Sequence, residues 1–379
     1  MDAAVLRAPF ERHRAPTVGL EEEVMLLDAE TLDLAPHAAR ALAELDGDPR
    51  FKLELPASQL ELLSEPCATV AEAAAQLAGA RRDLLGSIGG TFRVAGAGVH
   101  PFAAGRGVLN EGPRYDALRA EYGEVARRQL VCGLHVHVAV AGADRALAVY
   151  NALRSYLPEI AALAANAPFY EGRDTGLASV RPKICDLLPR QGVPPVLESW
   201  EAFAAELRWG AAAGRVPEAR LWWWELRLHP AYGTVEVRVP DTQAAVEEAA
   251  AMGALVHALA ARLAARWDAG TLPPPAPSWR IAENRWAACR HGLDAPLADL
   301  VKGERRPARE RLAELLTDLA PEAEALGCAA ELAGAEALLA ATGSERQRLD
   351  FAAGGMRRVA ERLADAFMPS PVSMPERAG

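Results

Sequence analysis

GLHVHVAV, residues 133–140, is the stretch on which the fold class turns. Leu134, Val136, Val138 and Val140 share one parity while His135 and His137 share the other, and a period of two marks a strand with one face in a core. Both imidazoles therefore point away from the greasy side. The same plan recurs in TVEVRV at residues 234–239, where Glu236 and Arg238 oppose Val235, Val237 and Val239. In SQLELLSEP, residues 58–66, Gln59 and Glu61 oppose Leu60 and Leu62. In TVGLEEEVMLLD, residues 17–28, Glu21 and Glu23 share a face, with Leu20, Glu22 and Val24 on the other. A single such strand needs only an ordinary solvated face, which would favour Lys, Thr, Ser and Arg. Four strands whose polar faces carry Glu, Gln, His and one Arg predict an α+β fold: a curved, mainly antiparallel sheet with helices on its convex face and an open concave active-site face.

Carboxylates gathered in one concavity repel one another and stay ionised at neutral pH only when cations neutralise them. Hard divalent ions with oxygen ligands do this, so Mg²⁺ or Mn²⁺ is expected. Such ions complete their shells with phosphate oxygens, which points to a nucleoside triphosphate, ATP, as co-substrate.

The rest of the chain bounds this reading. Its 379 residues are 51% hydrophobic, enough for a large core. A net charge of −10 argues against a partner bound through nucleic-acid phosphates. The start has no apolar segment behind a basic one, and residues 252–267 are broken by His257, Arg262 and Arg266, so neither a secretion signal nor a membrane partner is expected. Five scattered cysteines without CxxC spacing fit reduced thiols in the cytoplasm.

A capping box at Thr69 and Glu72 opens a helix over residues 70–88, and further helices are expected at 115–130, 145–165 and 242–267. Residues 166–195 read as a long loop, and the proline-rich stretch 270–278 as a linker. The domain count stays open: a catalytic domain over residues 1–300 is followed by a helical C-terminal appendage over 301–379 expected to pack on the same domain, whose last residues, 368–379, read as a frayed tail.

Six motifs carry a resemblance: GLEEE at 19–23, SQLEL at 58–62, HPF at 100–102, GLHVHV at 133–138, TVEVRVPD at 234–241 and NRWAACRHGL at 284–293. In this order they resemble the bacterial carboxylate–amine ligases, a family similar to glutamate–cysteine ligase, over about residues 17–300. The resemblance implies a glutamine-synthetase-like fold. It also implies a reaction in which ATP phosphorylates a carboxylate, typically that of L-glutamate, and an amine or amino acid attacks the acyl phosphate, releasing ADP and phosphate. It implies Glu21, Glu23, Glu61 and Glu236 as metal ligands, Glu54 as a further acid, His135 as a metal or phosphate contact, and Arg238 as the group that steadies the transferring phosphate. Asn166, Thr175, Ser179 and Arg181 either close over substrate, with Arg181 on a carboxylate, or simply build the loop; Arg227 is similar. Arg285 and Arg290 are candidates for nucleotide phosphates, against the plainer reading that arginines on a helix are solvated. The amine and the assembly, a homodimer among the options, stay open.

Two other classes compete. His135, His137 and Glu236 taken as one transition-metal site would suit a hydrolase. A protein that binds Mg-ATP or an amino acid without turnover is the third class.

Overall fold

The computed structural model describes residues 2–216 and 218–367, so the expected tail at 368–379 lies outside the described residues. Its centre is a seven-stranded, wholly antiparallel sheet. The strands are β1 (Val18–Asp28), β2 (Phe51–Leu53), β3 (Gln59–Leu63), β4 (Phe92–Ala95), β5 (Leu134–Ala139), β6 (Leu226–His229) and β7 (Thr234–Val237). They run in the order β2-β3-β1-β5-β7-β6, and β4 pairs with the far half of the long β1. The sheet is antiparallel, as the alternating strands predict, and it is not closed into a barrel.

Helix Val70–Ser87 packs beneath β1 and β3, and the long helix Val246–Asp268 beneath β5 and β1. The first begins at the expected capping box: Thr69 Oγ1 accepts from the Glu72 amide at 3.2 Å, and the Glu72 carboxylate accepts from Thr69 and Ala68 amides. In the second, every residue from 249 to 260 is buried, because small alanines let the sheet approach closely. By length and composition this helix could cross a membrane, but 78% of its most apolar window is buried inside the fold. Leu134, Val136 and Val138 meet it from above, each contributing about 1.5–3 kcal/mol by leaving water.

The expected helix at 145–165 divides into Ala143–Leu153 and Leu157–Leu163 around a short 3₁₀ turn, and Pro158 opens the second piece. The β6–β7 hairpin turns at Gly233, whose φ of 71° lies in the left-handed region and whose missing Cβ would sit 2.7 Å from the Pro9 carbonyl. The C-terminal helices share the main core: Ala308–Ala325 packs along Val246–Asp268, and Gly343–Phe367 lies beside β4. Gln347 there donates to the Asn166 carbonyl at 2.9 Å.

Candidate active site

Register builds the site. Antiparallel pairing sets Glu61 opposite Glu23, Glu21 opposite His135, His137 opposite Glu236 and Glu236 opposite Arg227. Directly opposed side chains on one face sit about 5 Å apart. Strands distant in sequence therefore lay one continuous polar row across the sheet. This row floors a cavity of about 750 Å³ whose lining includes Glu21, Glu23, Glu54, Glu61, His135, Arg181, Arg227 and Arg238. The loop around Arg181 to Gly192 and the segment from Arg220 to Glu225 wall it. His135, His137 and Glu236 are buried, and of the three only His135 is among the residues that line the cavity.

Glu21 is shared. Its carboxylate lies 3.3 Å from His135 Nδ1 and 3.2 Å from His137 Nε2. Two groups of ligand atoms cluster around it, Glu21 with Glu61 and His135, and Glu21 with His137 and Glu236, each set within 4.8 Å. The two imidazoles fall in different groups, which does not match the single His135–His137–Glu236 centre of the hydrolase reading. Each group offers two carboxylates and one imidazole, a donor set suited to Mn²⁺ or Mg²⁺. Nε2 of His135 is buried without a hydrogen-bond partner, so the first group retains unused ligand capacity.

The electrostatics separate the acids. Burial pushes Glu54 up to about 7, helped by Glu23, and Glu61 well above the carboxylate range, helped by Glu54 and Glu21. Burial opposes charge on Glu21 too, but His137 and His135 outweigh it and hold that carboxyl well below its usual value. At Glu236 burial is outweighed by Arg227 and Arg238, again well below. His135 is lowered by burial and by Arg238, whereas His137 is raised because Glu236 and Glu21 overcome its burial.

Glu236 is also the most heavily bonded of the expected metal ligands. Arg227 forks onto it at 2.5 and 3.0 Å, and Arg238 donates to the same carboxylate. Arg227 thus orients Glu236 rather than reaching freely into the cavity. Glu23 accepts from the Gly133 amide at 2.6 Å.

Glu236 is fully buried and does not itself line the cavity, and five further expected residues are not brought into it. Arg285 forks onto Glu225 at 2.8–3.0 Å. Arg290 donates to the Gly176 carbonyl and lines a separate cleft. Asn166 is a buried junction, bonded to Asp241, Thr242 and Gln347. Thr175 donates to the Pro168 carbonyl at 2.7 Å, and Ser179 is tied through its backbone to Cys289. These bonds tie the loop to itself and to distant parts of the chain at residues 241–242, 289 and 347. Arg181 does line the cavity, donating to the Val239 and Arg238 carbonyls at 3.2 Å.

His137 shares the parity of His135 and was legible from that alone, although its place with Glu21 and Glu236 needed the register. Arg114 and Arg190 also line the cavity. Arg190 sits on the Trp223 ring at 5.0 Å with φ of 62°, and no periodicity announced either residue.

The sequence model of the glutamate-cysteine ligase family 2 (GCS2) matches residues 17–362, nearly the whole described chain. The chain belongs to this family. The match continues well past residue 300, through helices expected to form an appendage. Among family members, the chain is 43% identical over 359 residues to a Rubrobacter xylanophilus protein named "Putative glutamate--cysteine ligase 2-3", covering 92% of this chain and 96% of that one. It is 35% identical over 373 residues to "Putative glutamate--cysteine ligase 2-1" of Frankia casuarinae, covering 95% and 97%. The fold resembles the crystal structure of a Francisella tularensis glutamate–cysteine ligase in complex with AMP, with TM-score 0.67 at 12% identity over 95% of this chain and 90% of that chain. It also resembles a bifunctional glutathione synthetase from Pasteurella multocida, with TM-score 0.64 at 14% identity over 97% of this chain and 53% of the other.

Within this member, Gly133 has a testable role. A Cβ there would lie 2.1 Å from Arg181 Nη2 and 3.3 Å from His135 Nε2. Gly133→Ala is expected to drive the guanidinium off its two carbonyls and to cost about 1–3 kcal/mol of stability, read by urea unfolding. Unchanged stability would mean that the arginine relocates freely.

Proposed function

We propose that this chain is an ATP-dependent ligase that joins a carboxylic acid, L-glutamate in the first instance, to an amine through an acyl phosphate. The convergence of Glu21, Glu61, Glu236, His135 and His137 into two overlapping ligand groups, beside Arg238, carries the reading. Family membership supports the ligase class.

Glu21, Glu61 and His135 would hold one divalent ion, and Glu21, His137 and Glu236 a second, with Glu23 beside the first. Bound Mg²⁺ or Mn²⁺ supplies charge neutralisation for the nucleotide phosphates. Arg238, with 17% of its side chain exposed and its charge favoured by Glu236 and Glu23, presents remaining N–H groups to the transferring phosphoryl oxygens. Arg181 faces the same cavity and suits the substrate carboxylate. Glu54, poised at about 7, suits removal of a proton from the incoming ammonium, since an amine attacks only when neutral. The walls exclude water that would hydrolyse an acyl phosphate.

The direct test is phosphate release from ATP with L-glutamate and a panel of amino acids and amines, with products identified by mass spectrometry. ADP and phosphate formed only when both substrates are present support the reading. AMP and pyrophosphate would overturn the acyl-phosphate route, and Mg-ATP binding without turnover across the panel would favour a non-catalytic binding protein.

The raised acids give a pH signature. Glu54 holds its proton below about 7, and that proton competes with a cation in the acidic basin. The increase in melting temperature on adding Mn²⁺ is therefore expected to grow as pH rises from 5.5 to about 7 and then level off. Glu54→Gln should flatten this profile. A cation effect that shrinks with rising pH would contradict the assignment.

A further inference from the structure

The acidic motif of β1 has a weakness in its own pattern. GLEEEV places three glutamates in a row, so a one-residue slip in pairing would turn Glu22 into the cavity and Glu21 and Glu23 into the core. Val18, Leu20 and Val24 are buried on the parity of Glu22 and favour the native pairing, whereas Met25, Leu26 and Leu27 are all buried and satisfy both parities, so a charge at Glu22 works against the face it belongs to. Glu22 itself is fully buried on the convex side, among residues that should reject it. Its partner is Arg81 of helix Val70–Ser87, equally buried, which forks onto the Glu22 carboxylate at 2.8 and 2.6 Å.

The same guanidinium donates to the Ala244 carbonyl at 2.9 Å and lies 4.2 Å from the centre of the Phe367 ring. It thereby also holds the segment that follows Thr242, whose hydroxyl donates to the Glu23 carbonyl at 2.8 Å. Arg81 thus holds Glu22 directly and, through the 242–244 segment, its neighbour Glu23. A buried ion pair of this kind is no better a stabiliser than well-packed apolar residues of the same volume, so stability alone does not account for it.

We propose that Arg81 is a positioning residue: by claiming Glu22 for the convex side, it fixes the pairing of β1 that keeps Glu21 and Glu23 on the cavity floor. The functional value of this pin rests on the reading that those acids hold divalent cations.

The test uses the full chain with Arg81→Met, which leaves Glu22 without its counter-charge, and separately Arg81→Lys, which keeps a charge but loses the fork. Three quantities are read: the melting temperature, Mn²⁺ binding by electron paramagnetic resonance, and the β1–β3 pairing in a crystal structure or by cross-strand NOEs. Arg81→Met is expected to melt below the wild type and to bind Mn²⁺ about tenfold or more weakly, with mixed or slipped pairing in place of Glu23 opposite Glu61. Arg81→Lys is expected to give a smaller loss of the same kind, and it decides the matter should Arg81→Met not fold. Native pairing with unchanged Mn²⁺ affinity in a folded variant would overturn the proposal. Should the wild type bind no Mn²⁺, the cation reading fails, and the pairing alone decides: slipped or mixed strands support the pin, native strands overturn it.

Discussion

Arg238→Met is expected to lower ATP-dependent phosphate release by about a thousandfold while the protein stays folded. The arginine lies at the edge of the row, buried enough for its charge to act at low dielectric and open enough to meet a ligand, with 17% of its side chain exposed. Removing one partner of a buried pair normally leaves an unpaired charge, but Glu236 keeps the bidentate fork from Arg227. Catalysis should therefore fall much further than stability. Arg238→Lys should recover part of the rate, because a point charge remains where the planar fork is lost. Arg227→Met gives the contrast. That side chain is committed to Glu236 and to the Arg220 carbonyl, so its loss should lower the melting temperature first. Rates are read by phosphate release and folding by thermal melting. An Arg238→Met enzyme retaining a tenth of wild-type turnover would remove this residue from the chemistry.

The sequence carried the sheet because the period of two is a local property. GLHVHVAV and TVEVRV declare their faces without reference to the rest of the chain, and the structure places β5 and β7 side by side in that sense. The faces also told which acids gather, since residues of one parity on neighbouring strands must share a surface. Partnerships were not legible. Arg285 was expected near phosphates, yet a glutamate sixty positions away claims it, and nothing in WWWELRLHP marks Glu225 as that partner. Glu22 fell on the apolar side by parity, correctly, but its counter-charge comes from a helix whose own pattern reads as amphipathic with Arg81 among leucines. Arg114 and Arg190 come from a helix and a loop, where no period forces a side chain toward a sheet. Patterns report faces, whereas ion pairs depend on how elements stack.

Glu21→Gln separates the two cation positions from the single-residue effects around them. Glu21 belongs to both ligand groups, Glu61 to one only. Glutamine keeps the shape and the oxygen but removes the charge that His137 and His135 now favour. The variant is expected to weaken Mn²⁺ binding at both positions by about 10–100-fold, whereas Glu61→Gln should weaken one. Stability gives a second readout. Glu21 is among the charges that push Glu61 upward, so its neutralisation relieves some repulsion in the cation-free protein. The fold nevertheless favours the Glu21 charge through the two imidazoles at 3.2–3.3 Å, which hold its carboxyl well below the usual range, so the cation-free variant should melt below the wild type at neutral pH. With Mn²⁺ added, the wild type should rise and the variant should not, and turnover should fall with the lost binding. Titration calorimetry decides it: wild-type Mn²⁺ stoichiometry and affinity in Glu21→Gln would mean that the groups do not share this carboxylate, and the two-ion reading would fall with it.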